Sequence, residues 1–282
     1  MPVKIISDST CDLSKELIEK YDIAITPLTV ILGEKSGKDG IDITPDDIYR
    51  YVEETGKLSK TGAVNSDEYE KVFRKWKDRG YDVIQFCIGS LFSSSYQSAC
   101  IAAQEMDGVY VVDTANLSSG QGLTVVKAAE LAQQGVPAKE IIAACEDMLD
   151  RVEASFVVNN IEYLHKGGRC SSLAALGSNI FHIKPCIEVI KGKMLAAKKF
   201  RGRIARVIKN YVEDRLKDRT DIEPDRIFIT HTRCDSEIIE GVKALIRQFQ
   251  PGIREILDTT AGATVTTHCG PETLGVLFVR KK

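Results

Sequence analysis

The sequence predicts an α/β protein with two domains. Through the first half of the chain, strand-like runs alternate with helical patterns, which is typical of a parallel sheet with helices on both faces. The length of 282 residues exceeds that of one average domain. In the second half, Lys191-Gly192-Lys193 has the character of a hairpin turn, which predicts a mixed sheet with helices. We therefore predict an N-terminal domain over residues 1–153, mostly a parallel sheet flanked by helices, and a C-terminal domain over residues 154–282.

In the first half, β-branched and apolar runs predict strands, and capping residues mark several helix starts. Thr44 followed by Pro45 begins one helix, and Asn65 with Glu68 fits a capping box for the next. Predicted strands cover residues 3–7, 23–32, 82–88 and 109–112, and predicted helices cover 15–20, 44–54, 65–78, 95–105, 123–134 and 138–150. Residues 33–40 and 58–65 are expected to be loops.

The second half begins with a predicted strand at residues 155–158 and a short helix at 161–166. Two β-rich runs, 183–190 and 194–200, flank the hairpin turn, and a charged amphipathic helix covers 203–218. Strands at 226–230 and 253–257 enclose a helix at 236–249. The tail, residues 263–280, is expected to place strands on either side of a turn at residues 268–271.

Composition excludes several classes of function. With 43% hydrophobic and 28% charged residues, the chain resembles an ordinary globular protein, and its net charge of -2 gives no basic excess for nucleic acid. No segment approaches the roughly 20 apolar residues of a membrane span, and we expect no signal segment and a cytoplasmic location. The eight cysteines form no C-x-x-C pair, which favours small buried thiols in a reducing compartment.

One loop of small hydroxyl residues is the strongest candidate for a site. Ser93, Ser94 and Ser95 follow a predicted strand and precede a helix. The first-turn amides of a helix lack internal partners and carry partial positive charge, so such a turn can hold a carboxylate or phosphate without Lys or Arg. One serine suffices as a helix cap, so three in a row favour a site, although capping alone is the alternative. Thr61 precedes the Asn65 cap, so capping does not explain it.

Several familiar motifs are absent from the sequence. It contains no P-loop, no G-x-G-x-x-G after a strand, no H-E-x-x-H and no Cys/His spacing typical of zinc sites. A nucleophile elbow is excluded because Phe92 stands where the second glycine belongs. His268 lies before a Gly-Pro turn at the end of a β-branched run. It is a candidate base for a serine, a donor to a bound anion, or a turn histidine without a partner.

Five motifs occur in the order in which they occur in a known family. They are SDSTCDL at residues 7–13, SLFSSSYQSA at 90–99, DTANLSSGQG at 113–122, YLHKGGR at 163–169 and HCGPETLG at 268–275. Together they resemble the DegV family, bacterial fatty-acid-binding proteins that include the carrier subunits of fatty acid kinase. The chain departs from the family pattern at Ser94 and Glu272, where glycine is usual, and at residues 62–64, where the family has Ser, Gln and Pro.

This resemblance implies a long-chain fatty acid buried in a tunnel at the interface of the two domains. By analogy with the family, Thr61, the Ser93 hydroxyl, the Ser94 amide and His268 hold the carboxylate, and Arg169 lies near the pocket mouth. The protein is then a non-catalytic carrier that presents the fatty acid to a separate ATP-binding kinase subunit for acyl-phosphate formation. It needs no cofactor or metal, and transient contact with a membrane surface is compatible with this role.

Four points stay open at the level of sequence. A serine esterase or acyltransferase is the main alternative, with Ser93 as nucleophile, His268 as base and Asp8 or Asp113 orienting the histidine. A nucleotide- or phosphate-binding regulator rests only on the fold type. The pocket wall is expected to include apolar residues of 173–181, and a basic cluster is either a docking site for a partner or phosphate or a solvated face. That cluster consists of Lys198, Lys199, Arg201 and Arg203.

Overall fold

The computed structural model describes residues 1–176 and 183–282, in which strands and helices alternate. The strands are β1 (Val3–Asp8), β2 (Ala24–Thr26), β3 (Thr29–Leu32), β4 (Lys35–Lys38), β5 (Lys60–Gly62), β6 (Asp82–Cys87), β7 (Val109–Asp113), β8 (Val152–Val157), β9 (Lys184–Ile190), β10 (Lys193–Phe200), β11 (Ile222–Thr232), β12 (Glu255–Thr260) and β13 (Thr273–Arg280). The helices are α1 (Lys15–Lys20), α2 (Pro45–Thr55), α3 (Ser66–Lys77), α4 (Ser95–Ala103), α5 (Ser118–Gln133), α6 (Ala138–Leu149), α7 (Ile161–Gly167), α8 (Ile204–Leu216), α9 (Ser236–Phe249) and α10 (Ala263–Cys269).

The first sheet is wholly parallel, in the order β2-β1-β6-β7, which confirms the predicted class. Because side chains alternate along a strand, neighbouring residues of β1 face opposite layers. Ile5 packs in the core that contains α5 and α6, whereas Ile6 packs against α3 and α4. The sheet is therefore covered by helices on both faces, and its carboxyl edge carries the polar loops.

The second sheet is mixed, in the order β10-β9-β8-β13-β11-β12. Only β11 and β12 pair in parallel, and β9 and β10 form the predicted hairpin. Lys191 and Gly192 both have positive φ, as a tight two-residue turn requires. One face of the sheet packs against α8 and α9, and the other faces α5, most of which is buried in the core shared with the first sheet.

A third, small antiparallel sheet, β4-β3-β5, was not predicted. The sequence predicted one strand over residues 23–32, but Pro27 interrupts it, so β2 joins the first sheet and β3 joins the small one. Proline cannot donate to a strand ladder, and it commonly ends one. The expected loops at 33–40 and 58–65 contain β4 and β5, and β5 brings Thr61 opposite Val30.

The tail prediction was wrong at its first element. Residues 263–269 form helix α10, and only the following segment is a strand. The Val and Thr residues of α10 favour strands intrinsically, but long-range contacts override so weak a preference. The predicted domain boundary between residues 153 and 154 falls inside β8, which begins at Val152. The division into two domains stays a prediction. Within the described residues, no helix has the length and apolar character needed to cross a membrane.

Candidate functional site

The serine loop connects the end of β6 to the start of α4. Ser94 is the N-cap with φ −77°, which any residue adopts, so the replacement of a glycine here introduces no backbone strain. The Ser93 hydroxyl oxygen accepts from the Ser95 amide at 3.2 Å and lies 2.9 Å from the Ser95 hydroxyl. Ser95 is buried, and its oxygen accepts from the Val64 amide at 3.3 Å. The three serines therefore differ: Ser95 ties the loop to the β5–α3 segment, whereas Ser93 and Ser94 are accessible.

Two aspartates hold the backbone of the serine loop. The fully buried Asp8 accepts from the Ile88 amide at 2.6 Å, and Asp113 accepts from the Ser90 amide at 3.1 Å. Burial raises the pKa of Asp8 above its usual range. Because both carboxyl groups bond the loop, the structure gives neither the role of orienting His268 that the esterase alternative required.

His268 is the penultimate residue of α10. Its Nε2 lies 2.9 Å from the Thr61 hydroxyl oxygen, so the small sheet and α10 together place these two side chains. Burial, and secondarily the positive charge of Arg169, lower the pKa of His268 to about 4. The imidazole is therefore neutral near pH 7, and its Nδ1 is buried without a partner among the described residues.

The Gly167-Gly168-Arg169 sequence has a physical explanation at both glycines. A Cβ on Gly167 would lie 2.5 Å from Nδ1 of His268, so only glycine permits this close approach. Gly168 ends α7 with φ +70°, which is the left-handed conformation that glycine favours. The chain then emerges at the surface, where the exposed Arg169 donates from Nη1 to the Gly167 carbonyl at 2.7 Å.

One cavity of about 620 Å³ brings the predicted site residues together. This volume lies within the range typical of small-molecule pockets, roughly 300–1,000 Å³. Apolar side chains from both halves of the chain complete its wall, among them Phe92, Leu117 and Val265. The predicted residues that line the cavity are Thr61, Ser93, Ser94, Arg169 and His268.

A second, narrow cavity lies next to the first. Both are lined by Leu117, Val265 and Cys269, and the second runs between the start of α5 and the second sheet, past Phe156 and Leu277. Its free volume is about 30 Å³, roughly the space of one water molecule. The hydroxyl groups around it already have partners, which are Asp12 for Ser118, Tyr211 for Ser155, Ser119 and Thr259 for Thr230, the Gly270 carbonyl for Thr232, and the Cys269 carbonyl for Thr273. The lining residue His231 has a buried Nδ1 without a partner among the described residues. An apolar occupant would therefore leave none of the hydroxyl groups without a partner.

Sequence reasoning missed several lining residues, including Met194 and Cys269. The only signal for Cys269 was its position beside His268, and Met194 gave none, because its place follows from the fold of the hairpin. Of the wall expected over residues 173–181, the side chains of 174–176 and residues 177–181 lie outside the described part of the chain. The basic cluster is exposed, and Lys198 pairs with Asp214.

A family model matches residues 2–281, and it is that of the DegV family, described as uncharacterised proteins. The chain belongs to the DegV family. A DegV domain-containing protein of Caldanaerobacter subterraneus is 30% identical over 282 residues, with 99% of each chain covered. A fatty acid-binding protein of Thermotoga maritima is also 30% identical, with 98% of this chain and 96% of the relative covered.

The fold of this DegV protein is shared with solved structures. A Thermus thermophilus DegV family protein, described as binding fatty acid, superposes with a TM-score of 0.88 at 26% identity, covering 99% of this chain and 100% of that one. The resemblance found in the five sequence motifs is therefore confirmed at the level of family and fold.

The serine-hydrolase alternative finds no support in the geometry. Within residues 1–176 and 183–282, no hydrogen bond joins Ser93 to His268, since Ser93 bonds Ser95 and His268 bonds Thr61. A nucleophilic serine requires a base within hydrogen-bond reach and a third group that orients the base. Thr61, Ser93, Ser94 and His268 are instead neutral groups that line one cavity, and Arg169 is the charged residue among those predicted for the site.

Proposed function

We propose that this protein binds a long-chain fatty acid, with the carboxylate in the larger cavity and the tail in the narrow one. The observation that carries this proposal is the convergence of Thr61, Ser93, Ser94 and His268 on a cavity that adjoins a narrow, mostly apolar one. The relatives from T. maritima and T. thermophilus, which are named or described as binding fatty acids, support it.

The head group would be held by neutral groups. The hydroxyls of Thr61 and Ser93 and the amide of Ser94 are donors, and the amides of the first turn of α4 add partial positive charge. The neutral His268 would bond the carboxylate directly or hold the Thr61 hydroxyl in position. Such a cradle avoids the desolvation cost of a buried ion pair.

The tail would supply most of the affinity. About fifteen methylenes at ~0.8 kcal/mol each give ~12 kcal/mol of gross transfer free energy. Loss of translational and rotational freedom and ordering of the chain offset much of this. At about 30 Å³ the narrow cavity must widen to take the tail, so binding would displace side chains such as Leu117 and Phe156.

We further propose that the protein is a non-catalytic carrier that presents the fatty acid to a separate ATP-dependent kinase for acyl-phosphate formation. The exposed Arg169 at the rim of the cavity supports this step, because a guanidinium there can meet the phosphate of an acyl phosphate. The kinase itself follows from the motif resemblance. The exposed lysines and arginines of the basic cluster offer a docking surface for such a partner, and transient contact with a membrane would let fatty acid enter.

Solvent extraction of the denatured protein, followed by mass spectrometry, tests the proposal together with a native mass spectrum. We expect one long-chain fatty acid per chain. Ser93→Ala, Thr61→Val and His268→Gln should each lower the retained amount, whereas Arg169→Ala should retain it and lower acyl-phosphate output with a kinase. A protein that is empty and takes up no added palmitate would contradict the proposal.

A further inference from the structure

Helix α10 lacks a cap of its own. Its N-cap is Gly262, which has no side chain to accept from the free amides of the first turn. The acceptors come instead from the N-terminal half. Asp12 Oδ1 accepts from the Gly262 amide at 2.8 Å, and Asp39 accepts from Ala263 at 2.8 Å and Thr264 at 3.2 Å.

The two carboxyl groups, which we call the cap pair, are themselves fixed. Asp12 accepts from the Ser118 hydroxyl at 2.6 Å, and Asp39 accepts from the Ser9 hydroxyl at 2.8 Å. Asp12 is 5% exposed and Asp39 4%, and neither forms a salt bridge within the described residues. Burying carboxyl groups without a cation is costly. The amides of α10, together with the Ser9 and Ser118 hydroxyls, are therefore the groups that satisfy the cap pair.

The other end of α10 carries the site. Seven residues at 1.5 Å each make a helix of about 10 Å, which is too short to be stable alone. At its C-terminal end, Thr267 bonds Ser59 at 2.9 Å and His268 bonds Thr61 at 2.9 Å. The position of the imidazole therefore depends on how both ends of the helix are held.

We propose that Asp12 and Asp39 are positioning residues, which fix α10 by its N-terminus and thereby hold His268 against Thr61 at the head-group pocket. This inference rests on the proposed function for its biological meaning. Neither aspartate lines the pocket. Their side chains act on His268 through α10, and Asp39 also contacts the pocket wall through Ser9, which accepts from the amide of the lining residue Leu28 at 3.1 Å. The cap pair comes from the first half of the chain and α10 from the second, so the same bonds join the two halves.

The imidazole itself is the first readout. Long-range ¹H–¹⁵N correlation spectra of the full-length, delipidated protein report the titration of His268, assigned by its loss in His268→Gln. We expect His268 to titrate near pH 4 in the unmodified protein, and Asp39→Ala to move the midpoint toward the ordinary value of 6.5. The movement follows because a released α10 exposes the ring to water.

The matched control is Ser14→Ala, which removes the side-chain cap of the distant helix α1. It should lower stability without moving the His268 midpoint. Asp39→Asn keeps one acceptor for the two amides and should shift the midpoint less than Asp39→Ala; it is the deciding variant if Asp39→Ala fails to fold. An unchanged midpoint in a folded Asp39 variant would overturn the proposal.

Palmitate binding gives the second readout, as a double-mutant cycle. Asp39→Ala and His268→Gln should each weaken binding roughly tenfold, and the double variant should be no weaker than either, because both remove the same interaction. A loss of about 100-fold, the product of the two, would show independent effects and contradict the positioning role. If the unmodified protein binds no palmitate, the proposed function fails, while the imidazole titration still tests the cap pair.

Discussion

At the scale of single residues, the carboxylate-binding residues of the candidate site are neutral, and for His268 the neutral state depends on burial. His268 is neutral because burial opposes its charge, and the rim residue Arg169 opposes it further. Thr61 and Ser93 have short side chains, which place hydroxyl groups at the cavity wall without filling the cavity. A carboxylate in this pocket would be stabilised by directed donors, with the only predicted cation left at the rim.

The lowered pKa of His268 predicts a pH-dependent contribution to stability. The folded-state pKa of about 4 lies below the usual 6.5, so the unfolded chain binds the proton more readily, and this contribution is lost as pH falls from about 6.5 to 4. Between pH 7 and pH 5 the loss amounts to roughly 2 kcal/mol. Urea unfolding of wild type and His268→Gln at both values measures it, because only the variant lacks this term. An equal pH dependence in the two proteins would contradict the lowered pKa.

Glu272 has a backbone conformation that predicts a difference in stability between glycine and alanine at this position. It occupies the position where the family usually has glycine, and its φ of +57° costs a side chain about 1–2 kcal/mol. Glu272→Gly removes that strain, while the added freedom of the unfolded chain offsets about 0.5–1 kcal/mol of the gain. Glu272→Gly and Glu272→Ala both lose the carboxylate that accepts from Asn159, and only the glycine variant lacks the Cβ. We expect the free energy of unfolding, measured by urea denaturation, to be about 0.5 kcal/mol higher for Glu272→Gly than for Glu272→Ala. Equal free energies of unfolding in the two variants would argue against backbone strain.

At the scale of elements, local signals were predictable and long-range ones were not. The β6–serine loop–α4 unit follows from neighbouring residues, and the sequence located it correctly. Helix α10 is capped by carboxyl groups more than 200 residues away, which no local pattern reveals. Its Val and Thr residues were the only local signal, and they predicted a strand. The pairing of β5 with β3 and the narrow cavity likewise arise from tertiary contacts, which no local sequence pattern predicts.

Asp12, which helps to cap α10, predicts a second pH dependence of the free energy of unfolding, opposite in sign to that of His268. Burial, with the nearby Asp39 as a lesser cause, raises the pKa of Asp12 to about 8, so the folded state holds its proton and stability falls as pH rises from about 4 to 8. Asp12→Asn imitates the protonated carboxyl and should remove this slope. Relative to wild type, the variant should gain roughly 2 kcal/mol of stability between pH 6 and pH 8, measured by chemical denaturation. A constant difference across this range would contradict the raised pKa.

At the scale of the whole molecule, α5 lies between the two sheets and the narrow cavity begins at its N-terminus. Residues of both halves line this cavity, so a tail inserted there would contact both sheets. A ligand that binds only the folded state at 100 times its Kd raises the unfolding free energy by about 2.7 kcal/mol. Palmitate should therefore raise the melting temperature of the delipidated protein. The size of this increase should depend on the length of the fatty acid tail.

Val189→Phe tests whether the tail occupies the narrow cavity. Val189 lines it from β9, and a larger ring there should fill the space. We expect the variant to lose most of the thermal shift with palmitate while keeping that with octanoate, whose shorter tail stays near the head-group pocket. Val152→Phe makes the same change on the neighbouring strand β8 at a buried position outside the cavity, so it controls for overpacking and should respond to palmitate. Equal palmitate shifts in the two variants would show that the tail does not occupy the narrow cavity. Overpacking alone should lower both melting temperatures, but it should not change the palmitate shift relative to the octanoate shift.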